Sequence, residues 1–79
     1  MNIFRSVINV SKEEKLKKSA EELKNSGNEA FKDGDYARAE ELYTSAILQW
    51  DKDYKLFNNR AQSRLQLKKV HRQLLWNTL

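Results

Sequence analysis

The chain reads as an all-α protein built of antiparallel helical hairpins, three helices followed by a short fourth. Three observations lead there. Apolar and small residues recur at steps of three and four along most of the length, which marks one face of a helix. Proline is absent and only two glycines occur among 79 residues, so little interrupts a helical run. No segment alternates polar and apolar residues for long enough to make a strand.

The opening, MNIFRSVINV, sets Ile3, Phe4, Val7 and Ile8 at helical spacing. It lacks the apolar core of about 7–15 residues and the small-residue cleavage site of a secretory signal. Two glutamates in residues 12–18 and sparse serine and arginine disfavour a mitochondrial presequence. Residues 1–10 are therefore read as an N-terminal extension, either a loose terminus or a short packing helix, ahead of a domain at 11–79. Ser11-Lys12-Glu13-Glu14 has the form of a capping box, with Ser11 accepting from a first-turn N–H and Glu14 reaching back. From there Leu16, Ala20, Leu23, Gly27, Ala30 and Phe31 follow one face. Asp33-Gly34-Asp35 ends the pattern: Gly34 suits the positive φ that follows a helix end, and Asp35 caps the next helix. The second stripe is Tyr36, Ala39, Tyr43, Ala46, Ile47 and Trp50, broken by Asp51-Lys52-Asp53. A third helix is expected over 54–67, with Leu56, Phe57, Ala61 and Leu65 as its apolar positions, and VHRQLLWNTL is expected to form a short fourth.

The three-residue connection at 33–35 makes the first two helices antiparallel neighbours. That gives Gly27 a purpose. In a helix interior it costs about 1 kcal/mol relative to alanine. Facing Ala39 across the hairpin, it would let two backbones approach, with Phe31, Tyr36 and Tyr43 filling the space around them.

Composition limits what the chain can do. It is one small domain with a thin core. There is no cysteine, hence no disulfide or zinc-thiolate framework, which fits a reducing, cytoplasmic setting. Apolar runs fall far short of the ~18 residues that span a membrane. Catalysis has little support: a single histidine, His71, lies beside Arg72, and no nucleophile has an evident base. Calcium-loop spacing and a phosphate-binding glycine loop are both missing, so no cofactor and no metal is expected. Glu13-Glu14, Glu21-Glu22 and Glu40-Glu41 alternate with lysines as solubilising charge. The net charge of +4 is modest, and glutamates interrupt the lysines of the first helix. Binding of nucleic acid or an acidic membrane through residues 15–18 and 68–72 is therefore not expected.

A shift of 34 residues pairs Leu23 with Phe57, Gly27 with Ala61, Phe31 with Leu65 and Tyr36 with Val70, and lays Asn25 on Asn59; 34 is the tetratricopeptide period. Over residues 20–69 the chain resembles the tetratricopeptide repeat (TPR) family. Leu23, Gly27, Ala39, Tyr43 and Ala46 fall on that family's large and small positions, and Gly34-Asp35-Tyr36 on its inter-helix turn. The resemblance places repeat one at about 20–53 and an incomplete repeat two at about 54–79. The second repeat opens with L-F-N-N-R-A and then departs: Gln73 stands where the family has alanine and Asn77 where it has an aromatic. Such a departure suits a truncated or variant C-terminus after Lys69.

Lys24 and Asn28 are four apart and project from the same side of a helix. L-K-x-x-G-N at 23–28 and N-N-R at 58–60 resemble the carboxylate-clamp TPR domains of co-chaperones, which grip peptides ending Glu-Glu-Val-Asp on cytosolic heat-shock chaperones. The resemblance implies that Lys24, Asn28 and Asn59 are clamp residues, with Phe31 one turn on as an apolar contact. It implies a non-enzymatic adaptor for acidic C-terminal peptides; a generic TPR scaffold fragment without peptide binding is the alternative. The family clamp also draws cations from a third repeat, which this chain does not contain. Weak self-association through the apolar C-terminal segment is a further expectation.

Overall fold

The computed structural model describes residues 2–78, with side chains described for residues 12–77. Three helices follow one another: α1 (Asn2–Lys32), α2 (Tyr36–Gln49) and α3 (Tyr54–Thr78). The described residues contain no strand, and the chain is all-α.

The α1–α2 corner follows from its sequence. Gly34 takes φ +81°, the left-handed conformation that costs a glycine nothing. Its N–H donates to Phe31 C=O at 3.0 Å, and the Asp35 N–H donates to Ala30 C=O at 2.9 Å. This is the Schellman arrangement that satisfies the last carbonyls of a helix. Asp35 then caps α2, its carboxylate accepting from the Arg38 N–H at 3.1 Å. Asp53 does the same for α3, accepting from the Lys55 N–H at 3.1 Å.

Cross-helix pairs fix the directions. Lys24 meets Asp53, Asn28 meets Tyr43 and Phe31 meets Tyr36, so sequence numbers rise on one side as they fall on the other, and α1 and α2 are antiparallel. Arg64 reaches back to Glu40 of α2, which sets α3 antiparallel to α2 and alongside α1. The core is thin: Ala20, Ala39, Tyr43, Ala46 and Leu56, flanked by half-buried Leu23, Ala30, Phe31, Ile47 and Trp50. Three of those five are alanines, which is how helix backbones come close. At about 1.5 Å per residue, α1 and α3 are much longer than the 14-residue α2 and run past it at opposite ends. The molecule is accordingly a rod, 69 × 17 × 14 Å.

Four expectations need correction. First, no short fourth helix forms; α3 continues through it to Thr78. Neither glycine nor proline lies between Leu67 and Val70, and Lys68-Lys69 are good helix formers, so nothing breaks the helix. Second, α1 begins at Asn2, and Ser11 falls inside it instead of at its start. The side chains of Ser11, Ile3, Phe4, Val7 and Ile8 lie outside the described residues. Third, the group closest to Gly27 is the Tyr43 ring, not Ala39. A Cβ built on Gly27 would lie 2.6 Å from Tyr43 Cε1 and 2.9 Å from Cδ1, so the glycine makes room for an aromatic ring. Fourth, α3 buries Leu56 and Ser63, whereas Phe57, Ala61 and Leu65 are exposed. Ser63 tolerates full burial because its Oγ donates to Asn59 C=O, one turn back, at 3.0 Å, which is a local bond open to serine in a helix.

Candidate functional site

The N-terminal neighbour of Phe31 by one turn, Asn28, is the centre of the polar contacts between the three helices. Its Oδ1 accepts from Tyr43 Oη at 2.5 Å and from Asn59 Nδ2 at 3.4 Å. Burial pushes the Tyr43 phenol above its ordinary pKa, so it stays protonated and serves as a donor. With both bonds made to its oxygen, Asn28 keeps its Nδ2 as the group with donor capacity. Asn59 likewise spends one N–H and retains another.

These residues line an open groove of about 340 Å³ between α1 and α3, bounded by Asn28, Phe31, Lys32, Tyr43, Asn59 and Gln62. Phe31 is held edge-to-face against Tyr36, ring centroids 5.1 Å apart, and forms one wall. The groove carries one cation, Lys32, and no carboxylate, histidine, serine or cysteine. Its chemistry is that of amide donors, one ammonium and an aromatic wall. Such a set can receive a carboxylate next to an apolar side chain.

Three of the four residues expected from the sequence, Asn28, Phe31 and Asn59, thus come together. Lys24 does not line the groove. Its Nζ donates to Asp53 Oδ2 at 3.0 Å, with only 19% of its side chain and 30% of that of Asp53 exposed. Burial pushes the Asp53 carboxyl upward, but the Lys24 ammonium and the Lys55 N–H more than offset it and hold the group below the usual carboxylate range. Asp53 therefore does two jobs: one oxygen caps α3 and the other fixes Lys24. It borders a second depression of about 320 Å³ with Lys17, Ala20, Glu21, Trp50, Lys52 and Leu56.

Sequence reading passed over Lys32, Gln62 and Tyr43 as groove residues, and over Asp53 as the partner of Lys24. Two of them carried a signal. Lys32 lies four residues after Asn28 and Gln62 three after Asn59, the spacings that share a helix side. The role of Asp53 had none, since it joins residues 29 apart. Among the described residues, no group of three or more histidine, cysteine, aspartate or glutamate side chains could hold a metal ion, and no helix is long and apolar enough to cross a membrane. Compared with known proteins, the chain matches no protein-family model and no solved structure.

Proposed function

We propose that this chain is a non-enzymatic adaptor of the TPR co-chaperone type that docks an acidic C-terminal peptide in the groove between α1 and α3. The observation that carries this reading is the convergence of Asn28 and Asn59 beside Lys32 and Phe31 in an open groove without a carboxylate. A terminal carboxylate takes hydrogen bonds from the two amides, Lys32 supplies the charge, and Phe31 meets an apolar side chain of the peptide. A hydrogen bond to a charged group contributes roughly 1.5–3 kcal/mol. With one cation facing the groove, the affinity is modest, on the order of 10 μM to 1 mM. The chemistry of the partner is that of a Glu-Glu-Val-Asp terminus on a cytosolic heat-shock chaperone, and the setting is cytoplasmic.

The test is a proton–nitrogen NMR titration with a peptide ending Glu-Glu-Val-Asp, run with a free and with an amidated C-terminus. Shifts at Asn28, Lys32, Asn59 and Gln62 that weaken at least tenfold on amidation are expected. Equal response to both peptides, or none, defeats the proposal.

One observation favours a second reading, a TPR scaffold fragment without peptide binding. The Lys24–Asp53 ion pair occupies the cation that the resemblance assigns to the clamp. Asp53→Asn separates the two. If Lys24 can serve the groove once released, this variant binds the free-carboxylate peptide more tightly than the parent; under the scaffold reading neither protein binds it.

A further inference from the structure

The repeat of 34 residues makes α1 a template for α3, and the two differ in what covers them. Leu23, Gly27 and Phe31 of α1 lie under α2, with the Tyr43 ring against Gly27. Their counterparts Phe57, Ala61 and Leu65 have no covering helix: Phe57 is 41% and Leu65 47% exposed. The same large-small-large pattern that seats α2 on α1 is repeated on the open side of α3, around a shallow depression of about 400 Å³.

The rim of this depression is cationic. It consists of Arg60, Arg64 and Lys68. Arg64 is held by Glu40 at 2.6 Å, and Arg60 lies over the Phe57 ring at 5.6 Å. Among the described residues neither Arg60 nor Lys68 has a carboxylate within ion-pairing distance. The whole of α3 carries Lys55, Arg60, Arg64, Lys68, Lys69 and Arg72 and no aspartate or glutamate. Two such faces brought together would set like charges against one another, which opposes a symmetric pairing of two α3 helices through this surface.

We infer that the exposed Phe57–Ala61–Leu65 face of α3 is a docking site for an acidic amphipathic helix of a partner protein, seated as α2 is seated on α1. The partner places an aromatic or other large apolar side chain over Ala61. Its carboxylates flank that side chain and meet Arg60 and Lys68. Ala61 carries a methyl group where Gly27 has none, so the incoming ring stands further off than Tyr43 does from Gly27. This site lies on a different side of α3 from Asn59 and is independent of the peptide groove.

The experiment uses the full chain, labelled with nitrogen-15, and two synthetic peptides built on residues 36–49, the segment that covers the matching face of α1. One carries Arg38→Glu and is acidic. The other carries Glu40→Lys and Glu41→Lys and is basic; the apolar face is the same in both. The acidic peptide is expected to shift the amides of Arg60, Ala61, Leu65 and Lys68 and to bind at least tenfold more tightly than the basic one. Leu65→Asp, at an exposed position and so compatible with folding, is expected to abolish the shifts while the helical circular dichroism of the chain is retained. Four results overturn the inference: no shift at millimolar acidic peptide, equal binding of the two peptides, shifts confined to Asn28, Lys32 and Asn59, or binding that survives Leu65→Asp. Two more do so by naming another occupant. In one, sedimentation reveals a dimer that protects Phe57 and Leu65. In the other, phosphatidylserine vesicles engage this face while the acidic peptide does not.

Discussion

Replacing Gly27 by alanine sets two known effects against each other. An alanine in the middle of α1 gains about 1 kcal/mol of helix propensity over glycine. The same methyl would lie 2.6, 2.9 and 3.1 Å from three atoms of the Tyr43 ring, the first two closer than carbon atoms tolerate. The ring has little freedom to withdraw, because Tyr43 is 2% exposed and its hydroxyl is tied to Asn28 at 2.5 Å. Overpacking of this kind costs about 1–3 kcal/mol. The net result is a loss of up to about 2 kcal/mol, which in a domain of this size lowers the melting temperature by roughly 4–8 °C per kcal/mol. The decisive measurement is a double-mutant cycle followed by circular dichroism during heating. With Tyr43→Leu in the background the rigid ring is gone, and Gly27→Ala then stabilises by about 1 kcal/mol. The sign of one substitution thus depends on the residue across the hairpin. If Gly27→Ala raised the melting temperature of the parent chain, or if the cycle closed with no coupling, the account of this glycine would be wrong.

Three other outcomes follow from the same geometry. Asp53→Asn removes the partner of Lys24 while leaving an acceptable α3 cap, and costs about 1 kcal/mol after allowance for solvent screening. Because the folded Asp53 pKa is depressed, its contribution is fully present above the unfolded value near 4 and fades as pH falls through the lower folded value; urea melts at pH 6 and pH 2.5 should differ less for the variant than for the parent. Ser63→Ala is expected to change stability by no more than ~0.5 kcal/mol, since only a bond within α3 is lost and alanine is the better helix former. Ser63→Leu, at the same fully buried position, should unfold the α2–α3 packing, visible as a lost cooperative transition. In hydrogen exchange, residues 70–77, exposed throughout, should exchange faster than residues 56–67, and ending the chain at Lys69 should leave the α1–α2 hairpin helical; protection extending evenly to Trp76 would contradict this.

The helical class, the corner at Gly34, the cap at Asp35 and the buried stripe of α2 were all legible in the sequence. Each rests on residues within one or two turns of one another, so local sterics and local hydrogen bonds decide it. Asn28, Phe31 and Asn59 were grouped in the sequence only by the family resemblance, and what the structure adds is that the three line one groove. What α3 buries was not. Its sequence offers apolar side chains on more than one face, and periodicity cannot say which of them meets α2. Packing against α2 chose Leu56 and Ser63 and left Phe57 and Leu65 outside. The helix boundary expected between Leu67 and Val70 is absent as well, because no glycine or proline lies there to stop α3. The partners of Asn28, Tyr43, Lys24 and Asp53 came only from the tertiary structure. Those contacts join residues 15 to 31 positions apart, a range over which a sequence fixes no distance until the helices that carry them have packed.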